Sequence, residues 1–441
     1  MPTYIDPNIY GSIPNTPNLM GMSATLTEPV DAQVLSEAVE YVRERFPYFY
    51  VRPQIEGPHI VLAPNELPVQ VRETWEPTVL LARESNYHIQ AWKCEGRRLA
   101  VEVLHPVTDG SGFMPYFKSV LFCYLSRRYG VDLDRAGFRL PGDEIPESEV
   151  GNPFSDEEVD AAERPLYTKP EIADFVQIKG AGSRKCWCAF SLKLPEGEVM
   201  RCCGEHDASP NALICVLLAR AVARIQPQGD KPILGGVAVN HKAILGNHDS
   251  YRCFSNLAYV DYPPGSLEKD LGLLCTVTRG QIIVQTQPEN VLFSLKQMKG
   301  GLGMIHSIPS IGAKMLLMSS QVGRKRTTYA VSYADSRSFG PLDPYIEELY
   351  VLAEPVATAF VCEVACINHA FFLHLEQAFD SEELLEAFRA ELSEVGIPVE
   401  VMRKEPYRTS NVRYDDLRIP VVEDAKQAVD DFVGGLLGHR G

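Results

Sequence analysis

A stretch rich in proline and carboxylates, from residue 141 to 182, divides the chain into two parts of similar character. Its prolines are Pro141, Pro146, Pro153, Pro165 and Pro170. This composition is typical of a connection between domains, and the prolines stiffen it. On both sides, strand-like and helix-like patterns alternate. Because 441 residues exceed the size of one ordinary hydrophobic core, the pattern predicts an α/β protein with lobes at 1–140 and 183–402, joined by a crossover linker.

The first part follows a strand–helix order. Met20 to Leu26 predicts a strand, and an apolar stripe after a capping Asp31 predicts a helix that ends before Pro47. A strand is expected from Tyr48 to Ile55. A hairpin is expected at 87–94 and 98–104, around Glu95-Gly96. A long helix follows.

The second part repeats this order. Its predicted strands are 186–194, 235–240, 327–335, 346–353, 357–366 and 368–376. Helices are expected at 209–225 and 380–395, and most of 267–322 is predicted to be helical, with breaks at Pro288 and Gly300-Gly301. Residues 403–441 form a C-terminal extension with an amphipathic segment from Asp424 to Leu437, for which a docking helix is the simplest interpretation.

Composition limits the function classes. The net charge of −16 disfavours nucleic acid and anionic membranes, which require concentrated basic residues. No apolar run approaches the roughly 18 residues of a membrane span, and the N-terminus lacks a signal-peptide pattern. The 11 cysteines are scattered, which favours a reducing compartment. We therefore expect a cytoplasmic protein.

One group of cysteines requires a choice between a metal site and a core strand. Its members are Cys186, Cys188, Cys202, Cys203 and His206, and zinc binds such side chains. The residues around Cys188 alternate between apolar and polar, however, as they do in a strand with one buried face. We favour the buried strand, and no metal site is predicted.

The segment from His105 to Gly110, His-Pro-Val-Thr-Asp-Gly, carries the most distinct chemistry. His105 follows a predicted strand, and an imidazole is suited to take a proton near neutral pH. Asp109 would pair with a cation or orient the imidazole, and Gly110 would permit a tight turn. From these residues alone, an equally open alternative is that His105 merely ends a strand and that Asp109 caps the next helix.

This segment resembles the H-x-x-x-D-G active-site motif of the chloramphenicol-acetyltransferase-like superfamily, which includes BAHD acyltransferases, peptide-synthetase condensation domains and stand-alone alcohol acyltransferases. Arg45 to Phe49 resembles the family's R-H-P-x-x-R element, and Cys253 to Asn256 resembles Y-F-G-N. Ser338 to Pro341 stands where the family carries D-F-G-W-G or S-N-L-G. The resemblance covers about residues 18 to 402.

At two places the sequence departs from motifs of the superfamily, which limits the subfamilies that it resembles. Leu104 stands where condensation domains usually carry a first histidine, which argues against peptide-bond synthesis. The Trp and Asp of D-F-G-W-G are missing, which argues against a BAHD enzyme. A stand-alone, bacterial-type alcohol acyltransferase is the nearest remaining match.

The resemblance implies two sandwiched α/β lobes with a channel between them. An acyl thioester, either acyl-CoA or a phosphopantetheine thioester, would enter from one face, and a small hydroxyl or amine acceptor from the other. His105 Nε2 would take the acceptor's proton, with no acyl-enzyme and no permanently bound cofactor. The family's aspartate usually binds an arginine, and Arg45 is the predicted partner of Asp109.

Further site residues are predicted from the needs of this reaction. The developing oxyanion requires a donor, for which Asn256, Ser332 and Ser338 are candidates. The basic run Arg324-Lys325-Arg326 would hold the phosphates of coenzyme A or of a carrier, or else it is a solvated helix end. Two alternatives stay open: an inactive binding or scaffold protein of the same fold, and a condensation-like enzyme that takes its donor from an acyl carrier protein.

Overall fold

Two β-sheets form the frame of the protein. The computed structural model describes residues 7–14, 16–152, 157–169, 171–181, 188–243, 245–322, 325–334, 338–406 and 410–417. The strands are β1 Leu19–Leu26, β2 Val51–Glu56, β3 His59–Pro64, β4 Val71–Glu73, β5 Val79–Leu80, β6 Gln90–Glu95, β7 Arg98–Leu104, β8 Cys188–Pro195, β9 Ile233–Asn240, β10 Ser255–Tyr262, β11 Tyr329–Ala334, β12 Ile346–Ala353, β13 Phe360–Ile367, β14 Ala370–Gln377, β15 Glu400–Pro406 and β16 Asn411–Val412.

The helices accompany these strands in both halves. They are α1 Ala32–Tyr41, α2 Gly110–Tyr129, α3 Glu147–Val150, α4 Glu157–Ala161, α5 Glu196–Glu205, α6 Pro210–Ile225, α7 Leu271–Gln285, α8 Pro288–Ser307, α9 Ile311–Val322 and α10 Glu383–Glu394. Asp31 caps α1 by accepting a hydrogen bond from Val34 N, and Ser209 caps α6 in the same way through Ala212 N. The predicted α/β fold class is confirmed.

The first sheet has the strand order β12-β1-β7-β6-β4, and the second has the order β10-β9-β11-β13-β14-β8-β15. Helices α1 and α2 pack on the first sheet and complete a core that includes Trp92 and Phe117. Helices α5, α6 and α10 complete the second core, in which Cys188, Cys202 and Cys203 are buried. This burial agrees with the core-strand interpretation of Cys188. Cys186 lies outside the described residues.

Strand β12 joins the sheet of the first half, although it comes from the second half of the sequence. It pairs antiparallel with β1, with Val351 opposite Met22. The sequence analysis assigned all of residues 183–402 to the second lobe, and these lobe boundaries stay a prediction. Residues 346–353, however, pair within the first sheet. The periodicity of a strand indicates that it is a strand and does not indicate its partner.

The stretch predicted as a linker is anchored at Glu149, whose side chain is fully buried. Arg252 of the second half donates to the carbonyl oxygens of Val150 and Gly151. Within the C-terminal extension, residues 403–406 belong to β15, and β16 pairs with β5. The amphipathic segment 424–437 lies outside the described residues.

Several predictions about helices and strands need correction. The strand expected from Tyr48 begins at Val51, because Pro47–Phe49 forms a 3₁₀ turn. Helix α8 runs from Pro288 to Ser307 without a break at Gly300-Gly301, because glycine, unlike proline, keeps its amide hydrogen bond. Strand β10, which pairs antiparallel with β9, was not predicted. Within the described part of the chain, no single helix is long and apolar enough to span a membrane. Helices α5 and α6 together have the required length and apolar composition, but they meet at an angle of 86°.

Candidate active site

A cavity of about 360 Å³ lies between the two sheets. From the first sheet, Met20 of β1 and Val351 of β12 line it, together with His105 from the loop after β7. The opposite wall comes from β9, β10, β11 and β13. Most of the wall is apolar, and its acidic and basic side chains among the described residues are His105, Arg326, Glu354 and Glu363. An apolar cavity with a few convergent polar groups is the usual form of a small-molecule site.

His105 stands directly after β7, at the start of a short 3₁₀ turn. Its backbone N–H donates to Asn18 O at 3.0 Å, and its Nδ1 lies 3.0 Å from Thr108 O. A carbonyl oxygen only accepts, so Nδ1 carries the hydrogen, and Nε2 of the neutral ring is left as the acceptor. The Thr108 hydroxyl in turn donates to Tyr251 O at 2.6 Å. The imidazole is therefore held in the tautomer that a general base requires.

Asp109 is buried and caps α2. Its Oδ1 accepts from Gly112 N at 2.8 Å, from Ser111 Oγ at 2.7 Å and from Lys242 Nζ at 2.7 Å, and its Oδ2 accepts from Phe254 N at 2.8 Å. Burial alone would raise the pKa of Asp109, but the fully buried Lys242 ammonium and these donors lower that pKa overall. Asp109 thus ties the loop after β7 to the segment between β9 and β10.

The predicted pairing of Asp109 with Arg45 is wrong. Arg45 makes a bidentate ion pair with Glu149, at 2.6 and 2.7 Å, and Arg139 Nη1 lies 2.9 Å from the same carboxylate. Arg45 therefore anchors the connection between the two halves and not the loop of His105. The Arg45–Glu149 and Asp109–Lys242 pairs join residues 104 and 133 positions apart, so local sequence did not reveal them. Lys242, directly after β9, was missed because a lysine after a strand ordinarily lies in solvent.

The glycine that the loop requires is Gly112, not Gly110. A Cβ atom at Gly112 would lie 2.2 Å from Tyr251 O, whereas one at Gly110 would have no described atom within 4 Å. Gly110 begins α2 with an ordinary backbone, so the prediction that a tight turn requires glycine at this position is wrong. Gly110 instead lines the cavity beside His105.

The three predicted oxyanion donors have different positions. Asn256 and Ser332 line the cavity, although the Asn256 amide already donates to Ser294 Oγ at 3.0 Å. Ser338 is not part of the described cavity wall, and its hydroxyl donates to Asp343 Oδ2 at 2.5 Å. The structure therefore brings two of the three candidates to the cavity of His105.

Of the predicted basic run, Arg324 lies outside the described residues. Lys325 donates to Ala181 O at 3.1 Å, and burial lowers its pKa. Arg326 is exposed and lines the cavity. Among the described members of the run, Arg326 is thus the one on the cavity wall.

Glu363 of β13 was not singled out from the sequence, yet it lines the same cavity. Only 5% of its surface is exposed, and its Oε2 has no hydrogen-bond partner among the described residues. Burial raises the pKa of this carboxyl to about 7, and a hydrogen bond with the Ser332 side chain opposes the rise. The sequence feature that could have indicated Glu363 is a glutamate between the apolar residues Cys362 and Val364 of a predicted strand.

Comparison with known proteins identifies the fold. No protein-family model and no curated protein matches the chain. Among solved structures, TRI101 of F. sporotrichioides complexed with coenzyme A and T-2 matches with a TM-score of 0.58 and 12% identity, covering 90% of this chain and 98% of that one. Polyketide synthase associated protein 5 from Mycobacterium tuberculosis matches with a TM-score of 0.57 and 13% identity, covering 89% and 97%.

The condensation domain of the monacolin K polyketide synthase MokA has the same fold, with a TM-score of 0.52 and 14% identity over 86% of this chain and 91% of that domain. At these identities the similarity establishes the fold alone. The predicted chloramphenicol-acetyltransferase-like, condensation-domain-like fold is confirmed.

Proposed function

We propose that the protein transfers an acyl group from a thioester to a hydroxyl or amine of a small acceptor. The observation that carries this proposal is the position of His105. Its imidazole lines a cavity between the two sheets, and the Thr108 carbonyl leaves Nε2 free to accept a proton. A positioned base of this kind is what an acceptor hydroxyl or amine needs in order to attack a thioester carbonyl.

The proposed reaction has one tetrahedral intermediate. His105 Nε2 takes the proton of the acceptor as its oxygen or nitrogen attacks the thioester carbon. When the intermediate collapses, the carbon–sulfur bond breaks, and the imidazolium returns the proton to the leaving thiolate. Asn256, on the cavity wall, is the candidate donor to the oxyanion, because its amide has a second N–H besides the one donated to Ser294. The Ser332 hydroxyl has one hydrogen, which it already donates to Glu363. Asp109 acts as a positioning residue through its four hydrogen bonds, and no acyl-enzyme forms.

We propose coenzyme A as the carrier of the acyl group. The complexes of TRI101 with coenzyme A support this choice, and Arg326 on the cavity wall is a cation suited to a phosphate. A carrier-bound phosphopantetheine thioester is the alternative donor, supported by the similarity to a condensation domain. Release of free coenzyme A, against transfer from a loaded carrier protein, decides between them.

The test is a thiol-release assay with acyl-CoA donors and alcohol or amine acceptors. We expect His105→Ala to fold normally and to lose about two to four orders of magnitude in turnover, the usual contribution of a positioned general base. The matched control is His248→Ala, since His248 is exposed in the segment between β9 and β10. If His105→Ala keeps most of the wild-type turnover, His105 is not the base.

A further inference from the structure

We infer that Glu363 selects the acyl acceptor: its buried carboxyl binds a second hydrogen-bond donor of that molecule, a protonated amine or a hydroxyl, while His105 activates the group to be acylated. This inference rests on the proposed function and assigns its acceptor to a chemical class. The acceptor then carries two polar groups separated by an apolar body that fits the cavity.

The strand geometry directs Glu363 into the cavity. Cys362 and Val364 of β13 point into the second core, whereas Val361 and Glu363 line the cavity, as the alternation of a strand requires. In the sheet, Glu363 has Ser332 of β11 on one side and His374 of β14 on the other. Its carboxyl and the His105 imidazole therefore belong to opposite walls of one cavity.

The partners of the other buried glutamates show how unusual Glu363 is. Among the described residues, each of the others accepts a hydrogen bond from a cation or a backbone amide, and these are Glu102, Glu149, Glu348, Glu354, Glu376 and Glu391. Glu363 has the Ser332 hydroxyl on one side, and no described residue reaches its Oε2. A buried carboxyl with an unpaired oxygen destabilises the fold. An apolar side chain would serve the fold better, which indicates a role in binding.

The chemistry of the free oxygen defines the ligand group. A protonated amine would form a charge-assisted hydrogen bond with the carboxylate and would replace the missing cation. A hydroxyl would form a weaker, neutral hydrogen bond. A methyl group in the same place would leave the carboxyl unpaired, and a site built for a hydrogen bond rejects such an analogue strongly. We therefore expect kcat/KM to be highest for an acceptor with an amine at this position, lower for one with a hydroxyl and lowest for one with a methyl group.

The experiment compares three acceptors of matched length that differ at the far end: 6-amino-1-hexanol, 1,6-hexanediol and 1-hexanol, with shorter and longer homologues because the cavity sets the span. For the wild type, kcat/KM is expected to favour the amino alcohol over the alkanol by about 10- to 100-fold. Glu363→Gln is expected to lose most of this preference, and Glu363→Leu to reverse it. In both variants we expect a higher KM for the amino alcohol and an unchanged KM for the acyl-CoA.

Glu354→Gln is the matched control, because Glu354 lines the same cavity but accepts a hydrogen bond from Leu19 N. This variant is expected to keep the order of the three acceptors. If Glu363→Leu also keeps the wild-type order, Glu363 does not select the acceptor.

A binding measurement separates this inference from the proposed function. If the wild type transfers no acyl group to any acceptor, the proposed function fails, and calorimetry with 6-amino-1-hexanol tests the carboxyl by itself. Binding that Glu363→Gln abolishes supports the inference. Equal binding by the wild type and Glu363→Gln, or no binding by either, overturns it.

Discussion

Gly112 permits the closest backbone approach in the loop of His105. A methyl group at this position would lie 2.2 Å from Tyr251 O and 2.9 Å from Thr108 Oγ1, and the first of these atoms belongs to the backbone, which cannot rotate away. The same contact region holds Thr108, whose carbonyl orients the imidazole. A change at Gly112 therefore acts on both stability and the site.

We expect Gly112→Ala to lower the free energy of unfolding by about 1–3 kcal/mol, as overpacking in a filled interior does. Gly110→Ala is the matched control: its methyl group would meet no described atom within 4 Å, so its effect should stay within about 0.5 kcal/mol. Urea unfolding of both variants measures the difference. Equal midpoints would show that the loop can move away from Tyr251.

A buried ion pair joins the start of α2 to the segment between β9 and β10. Asp109 and Lys242 are both almost fully buried, and their atoms lie 2.7 Å apart. Because the ammonium and the other donors hold the pKa of Asp109 below its ordinary value, the ionised carboxylate stabilises the folded state. This contribution is present above the unfolded-state pKa and is lost as the pH falls through the folded-state pKa.

We expect Asp109→Asn to cost about 3 kcal/mol or more at neutral pH, because it leaves the buried Lys242 without its counter-ion. In a double-mutant cycle, Asp109→Asn and Lys242→Met should show a coupling free energy of about 0.5–3 kcal/mol. The control cycle combines Asp109→Asn with Arg45→Met, and its two effects should add to within about 0.5 kcal/mol. Coupling in the control cycle but not in the first would restore the Arg45 pairing.

Strand β12 comes from the second half of the sequence and pairs within the first sheet, so it joins the two halves of the protein. All eight residues of β1 are buried, and β1 pairs with β7 on one side and with β12 on the other. A chain that ends before β12 therefore exposes the backbone groups of β1 at a sheet edge. Exposed apolar strand edges pair with other chains and aggregate.

We expect residues 1–140, expressed alone, to aggregate or to lack a cooperative thermal transition. Co-expression with residues 141–441 is the control, since it supplies β12 and should recover a soluble complex. Size-exclusion chromatography and thermal unfolding followed by circular dichroism measure both outcomes. A monomeric fragment that unfolds cooperatively would mean that the first sheet is stable without β12.

Several core strands and long helices could be predicted from the amino-acid sequence, because apolar periodicity and end caps act over a few residues, whereas β10 could not. The strand before His105, the cap at Asp31 and the helix after Ser209 were all visible in this way. A family motif indicated Asn256, and the need for an oxyanion donor indicated Ser332; both line the cavity.

The contacts between distant residues were evident from the packing of the fold and not from the order of residues in the chain. Asp109 pairs with Lys242 and not with Arg45, and Arg45 pairs with Glu149. Strand β12 is part of the first sheet. The packing also brings Glu363 to the cavity wall with an Oε2 atom that has no hydrogen-bond partner among the described residues. The amino-acid sequence does not show which of several oppositely charged residues will pair with a given charge. The packing of the two sheets determines the partner, because burying an unpaired charge costs free energy, so that each buried charge requires a counter-ion beside it.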